Sequence, residues 1–254
     1  MRRALLFALI AALLSSAIAQ NQTVPQSKTP AAQAMAGGGK IGASAVWQVV
    51  PTFLANAHKA CDNAPQPPSY AECFIAQMSK AGAPAAAVAF AQMLYRESGG
   101  DVGIMSGFNP VGPVDVAWIV YPLRANTNNG LLLVNGSPRI VNAEDLKLLD
   151  QKGMEQSFQY QDLQNQFPKV GVWPGDRDGT TWPNTQQGPN NGLQFILGYP
   201  LINGCHACAH AGTALFTWNF DAQGKFLGTT FMGLTPAPLP GANTPPASSG
   251  SSQP

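Results

Sequence analysis

The stretch "TALFTWNFDAQGKFLGTTFMGL", residues 213–234, carries the clearest fold signal in the chain. Ala214, Phe216, Trp218 and Phe220 recur at every second position, the period of a half-buried strand. Gly224 supplies a turn, and a second β-branched and aromatic run returns from Phe226. In the resulting hairpin Phe220 faces Phe226, an aromatic pair of the kind that stabilises antiparallel sheets.

The same period appears upstream. "LQFILGYPLI" (193–202) alternates, and "VDVAWIVYP" (114–122) places Val114, Val116, Trp118 and Val120 on one face. "GLLLVNGSPRIV" (130–141) reads as a hairpin turning at Asn135-Gly136. Between the strands, Asn142 is suited to cap a short helix in "AEDLKLLD". A second helix is expected from Met154 to Phe167, with Phe158, Leu163 and Phe167 as its apolar positions. Residues 173–192, from "WPGDRDG" to "GPNNG", form a long loop.

The N-terminal third has helical period instead. Val46, Val49, Val50, Phe53, Leu54 and Ala57 share one face over 44–59, and Pro51 is expected to kink or split that helix. "SYAECFIAQMSKAG" follows, with Ser69 and Glu72 as a capping box and Gly82 as a stop. Pro84 suits the first turn of a third helix, "PAAAVAFAQMLYRES". Helices first and hairpin-like strands afterwards, without regular alternation, predict an α+β fold: an N-terminal helical layer packed on a mostly antiparallel β-sheet. No G-x-G-x-x-G or P-loop stands in a strand–turn–helix context; "GGGKIG" at 37–42 lacks the Lys-Ser/Thr ending.

The termini differ in composition. "MRR" followed by "ALLFALIAALLSSAIA", with Ala17 and Ala19 before Gln20, reads as a signal peptide over 1–19. Residues 20–42 read as a flexible linker, 43–235 as one α+β domain and 236–254 as a disordered Pro/Ser/Gly-rich tail. No second long apolar run follows, so no membrane span is expected in the mature chain, and localisation is expected to be periplasmic or extracellular. Charged residues are 11% of the sequence and the net charge is +1, which argues against a nucleic-acid partner.

Export makes disulfides the default reading of the 4 cysteines, Cys61, Cys73, Cys205 and Cys208. A Cys61–Cys73 bridge would staple the first two helices and contribute about 3 kcal/mol. The second pair lies in "NGCHACAHAG" (203–212), which supports three readings. If 206–210 is extended, His206, Cys208 and His210 point to one side, and two imidazoles with a thiolate suit zinc or copper. A Cys205–Cys208 disulfide instead requires a turn at His206-Ala207. A redox pair is the third reading, although the strand-like sequence after Cys208 does not provide the helix N-terminus that usually activates a C-x-x-C thiol. Haem attachment is set aside because Ala209 stands where the axial histidine belongs.

Two stretches carry clustered carboxylates. Arg96, Glu97 and Asp101 in "YRESGGD" read as a solvated helix end. Trp173, Asp176, Arg177, Asp178 and Trp182 form a candidate ligand loop, because long loops on rigid scaffolds often carry function. No serine nucleophile elbow or H-E-x-x-H is present, and no catalytic residues are assigned. The expectation is an exported, non-catalytic binding or accessory protein of the cell envelope or secretome. It would contact a protein or small-molecule ligand through the sheet end bearing the 173–192 loop and "CHACAH". The alternative is a metal-binding or thiol-redox protein built on that segment. No cofactor is called for unless zinc or copper occupies it.

Overall fold

The computed structural model describes residues 39–67, 69–125, 128–175 and 182–238. Asp176, Arg177 and Asp178 of the candidate loop lie outside the described residues, as do the proposed signal peptide and nearly all of the expected C-terminal tail.

The fold is α+β. Three helices come first: α1 (Pro51–Cys61), α2 (Ser69–Lys80) and α3 (Ala85–Glu97). They are followed by β1 (Ile104–Asn109), β2 (Asp115–Val120), β3 (Asn129–Val134) and β4 (Ile140–Asn142), an antiparallel meander in the order β1-β2-β3-β4. Two short helices, α4 (Gln151–Glu155) and α5 (Phe158–Gln166), lead to a second antiparallel sheet. It contains β5 (Val170–Val172), β7 (Leu193–Asn203), β8 (His210–Phe220) and β9 (Phe226–Pro236) in that order, and β6 (Asn184–Gln187) also pairs with β7. Among the described residues no helix is long and apolar enough to cross a membrane.

The strands thus form two sheets rather than one, and they pack face to face. Val116, Trp118, Leu131 and Leu133 of the first sheet share a buried core with Phe195, Tyr199, Phe216 and Trp218 of the second. The opposite face of the first sheet, with Ala117, Ile119 and Leu132, lies under Phe90, Met93 and Leu94 of α3. A sheet buried on both faces takes apolar side chains at successive positions, which is why β2 and β3 read as nearly continuous hydrophobic runs. A third cluster, with Phe53, Phe74, Ile75 and Met78, holds the helices to each other. The Cys61–Cys73 disulfide closes its edge, with a Cα–Cα distance of 5.8 Å.

Several local expectations change for identifiable reasons. The helix expected over 44–59 begins at Pro51, because a residue preceding proline is pushed out of the helical region and Val50 is extended. Pro51 takes the first helical position, where its missing N–H costs nothing. Ser69 lies inside α2 rather than before it. Asn142 accepts from the Glu144 N–H, while Asp145 caps the 3-10 turn Leu146–Leu148. The helix expected from Met154 to Phe167 is two, broken where the Ser157 side chain accepts from the Tyr160 N–H and starts α5. The chain also packs from further back than Ala43: Ile41 is buried, and it exchanges two backbone hydrogen bonds with the Asn135 side chain.

The β8–β9 hairpin has Phe220 opposite Phe226, with ring centroids 5.3 Å apart. β9 is an edge strand without a charged residue, a position open to unwanted pairing. Part of that edge is covered from within. Asp150 accepts from the backbone N–H of Phe231 at 3.2 Å, and the Thr229 hydroxyl donates to the Leu148 carbonyl at 2.8 Å.

Candidate functional site

Two places on this scaffold offer chemistry. One is the β7–β8 hairpin tip. Residues 204–210 are all exposed, and the backbone folds into a turn closed by the Cys208 N–H donating to the Cys205 carbonyl at 2.8 Å. Cys205 and Cys208 are disulfide-bonded, with Cα atoms 5.0 Å apart. This corrects the extended geometry on which the His206, Cys208, His210 triad depended. A turn replaces the strand, and the Cys208 sulfur is bonded to carbon and sulfur, so it is no thiolate ligand for zinc or copper in this state. Among the described residues no three His, Cys, Asp or Glu side chains are grouped to hold a metal ion.

The start of the 173–192 loop reaches this tip. The Trp173 N–H donates to the Pro200 carbonyl, and its ring meets that of His206 edge to face at 5.9 Å. Trp182 goes elsewhere. Its ring lies 5.5 Å from that of Trp118, over Gly107, where any added Cβ would crowd both indoles. The structure therefore brings Trp173 and His206 together but gives Trp182 a packing role between the loop and the first sheet. His58, the remaining histidine, is at the far helical layer, hydrogen-bonded to the Tyr70 hydroxyl at 2.6 Å.

The other place is a cavity of about 400 Å³ between the C-terminal end of α3 and the short edge strand β4. Its floor is apolar, built by Leu94, Leu132 and Val141, which are buried core residues. Its polar wall carries the carboxylates of Glu97, Asp101 and Asp145. Asp101 is paired with Arg124 at 2.6 Å, and that guanidinium also covers the Tyr121 ring at 3.6 Å. Glu97 and Asp145 make no salt bridge among the described residues. Burial pushes the Tyr121 hydroxyl far above its ordinary pKa, with Arg124 pulling the other way and Asp101 and Glu144 adding to the rise. Tyr121 is therefore a neutral group behind an anionic rim.

In the sequence Glu97 and Asp101 read only as a solvated helix end. Their meeting with Asp145 arises from the β3–β4 hairpin returning beneath α3, and no local spacing announces it. Comparison of the chain with protein-family models, with curated proteins and with solved structures finds no match. The functional reading therefore rests on the chain's own chemistry.

Proposed function

We propose that this chain is an exported, non-catalytic binding protein, and that its ligand site is the acid-rimmed cavity between α3 and β4. The observation that carries the reading is the placement of Glu97, Asp101 and Asp145 around a floor of Leu94, Leu132 and Val141. Glu97 and Asp145, which make no salt bridge among the described residues, attract a positive group, and an apolar floor rewards burial of a hydrocarbon body at roughly 25 cal/mol per Å². The ligand class is therefore a small amphipathic amine. The basic, apolar N-terminal run and the cystine pairs support export.

The test is calorimetric titration with n-octylamine and with octanoate, which share a chain and differ in charge. The amine is expected to bind and the carboxylate to fail. Glu97→Gln combined with Asp145→Asn should weaken the amine tenfold or more at low salt. Equal binding of the two compounds, or binding unaffected by the double substitution, overturns the proposal.

A further inference from the structure

We infer that the Cys205–Cys208 disulfide at the β7–β8 hairpin tip is a thiol–disulfide exchange site, which accepts two electrons from a dithiol, with Lys169 assisting departure of the Cys205 thiolate. This site shares no residue with the acid-rimmed cavity, so the two readings stand or fall separately.

Cys205 and Cys208 are both exposed, whereas Cys61 of the other disulfide is fully buried and Cys73 is half-buried. Exposed disulfides are the more readily reduced ones, so a thiolate meets the hairpin tip before the helical clip. Only His206 and Ala207 lie between the two cysteines. A bridge that closes so short a loop adds little chain-entropy stabilisation, so opening it takes little from the fold. The turn also has bonds of its own. The Cys208 N–H donates to the Cys205 carbonyl at 2.8 Å and the Asn203 N–H to the Ala209 carbonyl at 3.0 Å. The antiparallel β7–β8 ladder continues behind it from Ile202 and His210 to Leu193 and Phe220.

The helix N-terminus that usually activates a C-x-x-C pair is missing here, because β8 follows Cys208. A cation takes its place. Lys169 stands just before β5, and its backbone N–H donates to the Asn203 side-chain oxygen at 2.9 Å. Its side chain runs along Gly204, with Cδ 3.5 Å from the place a Cβ of that glycine would occupy. Gly204 is the residue before Cys205. Lys169 makes no salt bridge among the described residues, and no carboxylate occurs from Gly204 to Phe220. An approaching thiolate therefore meets an ammonium and no acidic group of the tip itself. The same ammonium favours Cys205 as the sulfur that leaves, because a neighbouring cation stabilises a thiolate.

In the first step a thiolate of the dithiol attacks the Cys208 sulfur. A bond forms between the substrate sulfur and Cys208, the Cys205–Cys208 bond breaks, and Cys205 leaves as a thiolate. The second substrate thiolate then attacks the first substrate sulfur, which closes the substrate disulfide and releases Cys208. Two electrons pass to the protein, and the two protons given up by the dithiol end on Cys205 and Cys208. The turn makes the second substrate thiol necessary. It holds Cys205 beside Cys208, with a Cα–Cα distance of 5.0 Å in the disulfide. Against a monothiol the Cys205 thiolate therefore recloses the bridge and expels the attacker, because the reclosing step is intramolecular.

The test mixes the full oxidised chain with dithiothreitol at low salt, quenches with iodoacetamide over time and reads peptide masses. Cys205 and Cys208 are expected to open at least tenfold faster than Cys61 and Cys73. One dithiol should be oxidised per chain while far-UV circular dichroism stays unchanged. 2-Mercaptoethanol at the same thiol concentration should leave the tip mostly closed. Lys169→Met keeps the hydrocarbon stem and should slow opening threefold or more. That difference should vanish in about 1 M salt, where the Debye length falls to about 3 Å, whereas a purely structural effect of the substitution would persist. Opening of Cys61–Cys73 first, loss of secondary structure when the tip opens, or equal opening by the monothiol overturns the inference. So does a Lys169→Met rate equal to the parent's at low salt, or one still slowed at high salt.

Discussion

The carboxylate of Asp115 accepts a hydrogen bond from the side-chain amide of Asn135 at 2.8 Å, and both residues bind the strand ends on which the first sheet closes. Asp115 is fully buried at the start of β2. Its other oxygen takes the Val111 N–H at 2.9 Å, and the Lys40 ammonium stands 3.3 Å away with its side chain largely in solvent. Asn135, half-buried, uses its remaining groups to hold Ile41, so this pair fastens the N-terminal arm, the β1–β2 connection and the β3–β4 turn. Removing Asn135 leaves a buried anion short of a donor, which costs about 2 kcal/mol. Asn135→Ala and Asp115→Ala are each expected to lower the urea midpoint by that order or more. Lys40→Ala should cost less than about 1 kcal/mol, because an exposed partner is screened by water. Equal losses in all three variants, read by tryptophan fluorescence, would contradict this ranking.

Asp150 protects the edge of the second sheet. One oxygen accepts from the Gly153 N–H at 2.9 Å and so caps α4, and the other accepts from the Phe231 N–H on β9. Asp150→Ala is expected to destabilise by about 1–2 kcal/mol, the combined cost of a lost cap and an uncovered strand amide. It also removes the carboxylate guarding a strand on which Leu227 and Met232 are already exposed. The checking measurements are the thermal midpoint and light scattering against concentration. Increased self-association in Asp150→Ala, beyond that of an equally destabilised core variant, is the expected signature.

The β8–β9 hairpin was legible in the sequence because everything that defines it is local: alternating aromatics, a Gly224 turn and the facing Phe220 and Phe226. The two-sheet arrangement was not. Alternation shows that Trp118 and Trp218 each face a core, but not that they face the same one. Gly136 was readable as a turn residue, yet its tightest constraint is long-range: a Cβ there would collide with the Gly224 carbonyl of the other hairpin. The Ser137 N–H donates to that same carbonyl at 2.8 Å, tying the two turns together. At the candidate sites the limit was similar. "CHACAH" permits a strand or a turn, and the choice is made by the β7–β8 register around it. The rim of Glu97, Asp101 and Asp145 exists only because β4 comes back under α3.

Tyrosine burial gives the fold an alkaline limit. The Tyr121 hydroxyl is raised well above its ordinary pKa by burial, and Tyr160 is raised by burial with a smaller push from Glu155. A phenol whose folded pKa exceeds its unfolded value stabilises the native state fully while both forms are protonated. That contribution is lost as pH rises from the unfolded value of about 10 towards the folded one, because the unfolded chain then releases the proton more readily. Urea stability should therefore be insensitive to these groups below pH of about 9 and decline above about 10. In Tyr121→Phe the group that titrates only on unfolding is gone, so the slope above pH of about 10 should be shallower than in the parent, although the variant keeps the ring under Arg124 and loses only the hydrogen bond to the hydroxyl. Urea midpoints across that range, paired with ultraviolet titration of phenolate absorbance, check both halves. A parent slope unchanged by Tyr121→Phe would mean that Tyr121 ionises as readily in the folded chain as in the unfolded one.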